Sequence, residues 1–117
     1  NDLTQYTMAA DRGNANVSEL AQALQPAVIR AIQRTAEAAE AAGIWVGMCG
    51  EMAGNAQATP LLVGLGLTEL SMSGPSVPAV KAALREITLE QAQAIAAEAV
   101  TLATINEIET LLQQFEP

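Results

Sequence analysis

Cys49 closes an apolar run, with Gly47 and Gly50 near it on either side, and it is the chain's single cysteine. A lone thiol in such a place is either a small inert core residue or a functional group at the C-terminal end of a buried strand. The two glycines leave room for a ligand to approach the backbone. Asn1 and Asp2 form a polar pair. It could supply an amide donor and a hard oxygen ligand to magnesium and phosphate oxygens, or it could simply cap a turn. Arg12 sits between Asp11 and Gly13, where its fork could grip a phosphate or carboxylate through two parallel bonds or merely pair with Asp11 in solvent. Glu51 is an acid, a base or a solvated turn residue, and its type does not decide among them. Gly64 and Gly66 are too closely spaced, and lack the third glycine, for a dinucleotide loop.

Composition narrows what these groups can do. Thirteen acidic against five basic residues leave a net charge of -8, with no histidine in 117 residues. A phosphate backbone would be repelled, so nucleic acid is an improbable partner. The absent imidazole excludes His-based triads, His-ligated zinc and a phosphohistidine carried by these residues. One cysteine can form neither an internal disulfide nor a metal cluster, and no basic-then-apolar leader is present, so a reducing, cytoplasmic address is expected. Apolar runs fall far short of the ~20 residues a spanning helix requires, and no membrane insertion is expected.

The elements that must position these residues are mostly helical, because the twenty-four alanines cluster in segments separated by Gly, Pro and Ser. Residues 1–25 read as a long loop with one helical turn. Pro26 opens a helix whose apolar positions, Val28, Ile29, Ile32, Ala36 and Ala39, recur at helical spacing until Gly43 stops it. Ile44, Trp45 and Val46 then begin a short buried strand that runs to Cys49. A capped helix is expected from about Asn55 to Leu65, ended by Gly64 and Gly66, then a strand from Glu69 to Met72 and a helix from Val77 to Glu86. This alternation implies βαβ units and a parallel sheet. Two capping boxes, Thr88-x-x-Gln91 and Thr104-x-x-Glu107, then open consecutive helices. In the second, Ile108, Leu111, Leu112 and Phe115 form a stripe that must dock on something. Two parallel strands cannot satisfy their own edges, so the chain reads as part of a larger α/β domain.

Three runs taken together are more specific than any single residue. Asn1-Asp2-Leu3-Thr4-Gln5-Tyr6-Thr7-Met8-Ala9-Ala10-Asp11-Arg12-Gly13-Asn14, Gly47-Met48-Cys49-Gly50-Glu51-Met52-Ala53-Gly54 and Leu70-Ser71-Met72-Ser73 resemble the C-terminal part of enzyme I of the bacterial sugar phosphotransferase system. The resemblance spans essentially the whole chain. It implies the C-terminal portion of a phosphoenolpyruvate-binding (β/α)8 barrel: residues 1–25 as the phosphoenolpyruvate and metal loop, 26–87 as the last two βα units, and 88–117 as a terminal helical hairpin. By the same resemblance, Asn1, Asp2 and Arg12 bind substrate, Asp2 also holds Mg2+, and Cys49 is the proton donor to the enolate carbon.

Those roles are chemically coherent. Phosphoryl transfer from phosphoenolpyruvate leaves an enolate, so a site must neutralise phosphate charge, steady the leaving oxygen and then deliver a proton to carbon. A thiol keeps its proton at neutral pH and needs little solvation when a pocket closes. The family's phosphorylated histidine and its phosphocarrier-docking helices belong to an N-terminal domain, so the isolated chain is expected to show little or no transfer. Homodimer formation is also implied. Two alternatives remain: an assembly module without activity of its own, or the equivalent segment of a pyruvate phosphate dikinase or phosphoenolpyruvate synthase.

Overall fold

The computed structural model describes residues 1–115, as six α-helices around one pair of short parallel strands. In chain order these are α1 (Asp2–Met8), α2 (Pro26–Ala42), β1 (Gly47–Met48), α3 (Thr59–Gly64), β2 (Glu69–Leu70), α4 (Val77–Arg85), α5 (Leu89–Ala99) and α6 (Ile105–Gln113). Single 3-10 turns lie at Ser18–Ala21, Glu51–Gly54 and Gly74–Ser76. The architecture is a helix-dominated mixed α/β arrangement.

α2 forms where the periodicity predicts it. Pro26 occupies its first turn and needs no hydrogen-bond partner for a missing N–H; at the far end Gly43 takes the left-handed conformation at φ 67° and its N–H closes back on Glu40. Val28, Ile29, Ile32, Ala36 and Ala39 are all buried. Val28, Ile29 and Ile32 meet Leu61 and Leu62 of α3, Ile95 and Ala99 of α5, and Ile108 and Leu111 of α6 in one cluster. Burying each large aliphatic side chain of this kind contributes about 1.5–3 kcal/mol relative to leaving it in water. Both capping boxes are complete: Thr88 Oγ1 accepts from Gln91 N, and Thr104 Oγ1 from Glu107 N, each at 3.2 Å. The α6 stripe docks through Ile108, Leu111 and Leu112, while Phe115 remains 43% exposed.

Three sequence expectations need correction. The opening segment is not a long loop with a single turn, because residues 2–8 form two helical turns that pack on α2 and bury Thr4. The strand expected from Ile44 narrows to Gly47–Met48, with Ile44 64% and Trp45 73% exposed. Its physical cause is the partner: β2 pairs only at Glu69 and Leu70, and upstream only Thr68 reaches back to the Val46 carbonyl. Third, the helix expected from Asn55 begins at Thr59, after an Asx turn in which the Asn55 side chain accepts from Gln57 N at 2.9 Å. Thr59 is fully buried, and its hydroxyl is satisfied by the Asn55 carbonyl at 3.1 Å.

Gly64 does more than end α3. A Cβ built there would run into the Ala92 carbonyl of α5 and lie 2.9 Å from Ala96 Cβ. Only a residue without a side chain lets α3 and α5 approach this closely, and the turn itself is made by Gly66 at φ +102°. Gly64→Ala should therefore force the two helices apart and destabilise the chain by ~1–3 kcal/mol, the usual cost of overpacking. A urea-unfolding midpoint equal to wild type would contradict this.

At α6 the Glu107 carboxyl is held below its ordinary range, first by the Ala103 N–H and then by the Thr104 hydroxyl and N–H, while desolvation opposes this only weakly. A depressed folded-state pKa stabilises the cap above the unfolded value, and that contribution disappears as pH falls through the folded value. Acid titration followed by amide exchange should show the Ala103 and Thr104 N–H groups losing protection, and Glu107→Gln should flatten that pH response.

Candidate functional site

Parallel pairing places the C-terminal ends of β1 and β2 on one edge, in the register Gly47 to Glu69 and Met48 to Leu70. Ser71 N donates to the Met48 carbonyl at 2.8 Å, which holds the two exits together just beyond the last paired residues. Cys49 leaves β1 at this edge and is exposed, so the inert-core reading of its thiol does not describe it. Gly50 follows with φ 94° and ψ -175°, a combination that side chains rarely tolerate. A Cβ on Gly50 would sit 3.4 Å from the Asn1 backbone nitrogen. The loop after β1 and the start of α1 therefore touch through a glycine.

α1 fixes the other residues. Asn1 stands at its N-cap position without making a side-chain cap hydrogen bond, and Asp2 lies in its first turn. The carboxylate there is favoured by the partial positive charge of the helix end. At the other end Ala9 adopts a left-handed conformation at φ 51°, costing about 1–2 kcal/mol for a non-glycine residue. That turn buries Ala10 and sends the chain back along the helix. Gln5 then accepts a hydrogen bond from Arg12 N at 3.0 Å, and Asp11 accepts one from Gly13 N at 2.9 Å. The Arg12 backbone is thus tied to α1, and Asp11 caps its own turn.

These constraints bring Asn1, Asp2, Arg12 and Cys49 to the wall of one cavity of about 460 Å³. Met48, Gly50 and Met52 line it too, and buried Val28 and Ile32 of α2 form its apolar side. Asp2 is the sole acidic and Arg12 the sole basic side chain lining it among the described residues. Glu51 lies elsewhere, in an adjoining cavity with Asn1, Ser71 and Ser73. The arrangement offers a guanidinium and an amide for an anion, one carboxylate for a cation, and a thiol for a proton.

The chain's first 89 residues match the family model described as PEP-utilising enzyme, PEP-binding domain. The chain belongs to this family. Among curated relatives, it is 57% identical over 116 residues, 97% of this chain and 20% of the relative, to the phosphoenolpyruvate-protein phosphotransferase of Haloferax volcanii. It is 46% identical over its whole length to the multiphosphoryl transfer protein of Escherichia coli O6:H1, of which it covers 14%. Against the phosphoenolpyruvate-protein phosphotransferase of Haemophilus influenzae it is 45% identical over 98% of its length and 20% of the relative. The chain thus spans a fifth or less of these relatives.

Phosphoryl-transfer sites commonly use a divalent metal. Among the described residues no three Cys, Asp or Glu side chains are grouped so as to hold one. Magnesium takes about six hard oxygens, several of them often from water and substrate phosphate. One carboxylate and one amide oxygen, from Asp2 and Asn1, fit as a part of such a shell.

Residue type alone did not single out three contributors. Gln5 sets the backbone of Arg12, and its signal was faint: an amide seven positions before a loop arginine. Ser71 and Ser73 belong to a run that the resemblance quoted, and parallel pairing puts them on the same edge as Cys49. Gly50→Ala should cost ~1–3 kcal/mol through backbone strain and push the Cys49 loop from Asn1. The checks are a lowered thermal midpoint and an altered rate of Cys49 labelling by a neutral disulfide; no change in either would count against the contact.

Proposed function

We propose that this chain contributes the phosphoenolpyruvate site of a phosphoenolpyruvate-protein phosphotransferase. In the complete polypeptide the phosphoryl group passes to a histidine outside these residues, and then to a phosphocarrier protein that serves sugar uptake in the cytoplasm. The observation that carries the reading is the single cavity shared by Asn1, Asp2, Arg12 and Cys49. The names of the relatives favour a phosphotransferase over a dikinase or synthase. A (β/α)8 barrel, completed by strands from elsewhere in the polypeptide, accounts for a sheet of only two short strands.

In this mechanism the Arg12 fork binds the phosphate, because a planar guanidinium pairs with two phosphate oxygens at once. The Asn1 amide orients the same group by hydrogen bonding. Asp2 would hold Mg2+, which when bound supplies positive charge to the phosphate and the leaving oxygen. Once the phosphorus–oxygen bond has broken, Cys49 donates its thiol proton to the methylene carbon of the enolate. A carbon–hydrogen bond forms as the sulfur–hydrogen bond breaks, which yields pyruvate and a thiolate that regains its proton from solvent. The apolar wall from Val28 and Ile32 limits water near that carbon, which favours a proton from the thiol.

Cys49→Ala in the complete polypeptide should abolish turnover while leaving phosphoenolpyruvate affinity, measured calorimetrically with magnesium present, within about threefold of wild type, because the thiol is used after binding. A collapse of affinity would move Cys49 from chemistry to structure.

A further inference from the structure

Gln5 lies in the middle of α1, between two anchors. Thr4 before it is buried at 5% exposure, and Ala10, just past the end of the helix, at 2%. Three separate hydrogen bonds meet on this one residue. Its N–H donates to the Asn1 carbonyl, its own carbonyl accepts from Ala10 N, and its side-chain oxygen accepts from Arg12 N, each at 3.0 Å. The first ties the residue to the start of α1, the second closes the left-handed turn at Ala9, and the third reaches past that turn to the segment that carries the guanidinium. A left-handed turn at a non-glycine residue persists only where its surroundings over-determine it.

Arg12 needs such a holder. Among the described residues its guanidinium has no hydrogen-bond or ion-pair partner, and the neighbouring Asp11 carboxylate accepts instead from Gly13 N at 2.9 Å. The residue nonetheless lines the Cys49 cavity, as do Asn1 and Asp2, whereas Gln5 does not. With nothing gripping the fork itself, its reach is inherited from the backbone at Arg12, and among the described residues the side chain bonded to that backbone is Gln5. An arginine has many rotamers, so a backbone left free would multiply the conformations that must be frozen when an anion binds.

We propose that Gln5 is a positioning residue for the phosphoryl group: by holding the Arg12 N–H it pre-sets where the guanidinium can reach, without touching the substrate. The inference rests on the reading that phosphoenolpyruvate fills the Cys49 cavity with its phosphate on Arg12. Because Gln5 is bonded to Asn1 as well, it also fixes the spacing between the amide and the guanidinium on either side of α1. Removing its side-chain oxygen should weaken a ligand in proportion to that ligand's use of Arg12, and spare one that carries no phosphate.

The experiment uses the complete polypeptide and two ligands, each titrated calorimetrically with magnesium present: phosphoenolpyruvate, and oxalate, a planar dianion shaped like the pyruvate enolate but without a phosphate. Gln5→Met keeps the length and helix propensity of the side chain and removes its acceptor. It should weaken phosphoenolpyruvate about tenfold, the scale of one lost positioning hydrogen bond, and leave oxalate within about twofold of wild type. In an Arg12→Gln background the same change should alter phosphoenolpyruvate affinity by less than about twofold, because two residues that act through one contact are not additive. Wild-type phosphoenolpyruvate affinity in Gln5→Met overturns the inference. So does an equal loss for oxalate, which would assign Gln5 to folding, or an undiminished loss on top of Arg12→Gln. A wild-type protein that binds no phosphoenolpyruvate, or an Arg12→Gln variant that binds it as tightly as wild type, would instead overturn the reading on which the inference rests.

Discussion

Two strands that run the same way must be joined by a crossover, and the placement of everything at the strand ends depends on how firmly that crossover is seated. Here the crossover is α3, buried along Thr59, Pro60, Leu61 and Leu62 and pressed onto α5 at Gly64. No side chain separates the two backbones at that point, so α3 can neither slide nor tilt without exposing its apolar face or striking the Ala92 carbonyl. The exits of β1 and β2 are thereby held on one edge, although the ladder itself contains only two residue pairs.

The charge distribution at that edge is more local than the overall balance suggests. A chain with a net charge of -8 is a poor general host for anions, since the mean field opposes their association. Short-range geometry reverses this at one place. Arg12, tied through its backbone to Gln5, stands with Asp2 on the wall of the Cys49 cavity, while Glu51 lies across Asn1 and Gly50 in the neighbouring one, which no Lys or Arg lines among the described residues. A few residues of backbone thus separate a volume that holds a cation from one that holds only a carboxylate.

Helices with strong local signals were legible in the sequence. α2 carried a proline start, a glycine stop and a regular apolar stripe, and α5 and α6 each carried a complete capping box. The elements misjudged were those whose form is set by distant partners. α1 lacks a side-chain cap and is held by its packing on α2, so its polar composition read as loop. The strand at Ile44 read as long and buried because its residues are apolar, yet a ladder extends only as far as its neighbour does. For the site, residue types and the resemblance pointed to Asn1, Asp2, Arg12 and Cys49. Their convergence on one cavity follows from parallel topology and from the contact of Gly50 with Asn1, which no local spacing encodes. Glu51 could not be placed from type, since its surroundings come from the segment after β2.

Trp45 is the chain's single indole. It lies just before β1, with most of its surface in water and its ring edge over Gly47, where a Cβ would come within 3.2 Å of it. Its emission accordingly reports on one spot, the strand end opposite Cys49, with no second fluorophore of its kind to blur the signal. A shift toward the blue when another surface packs there would mark the moment when the sheet acquires cover at that end, making the residue a built-in optical gauge of assembly.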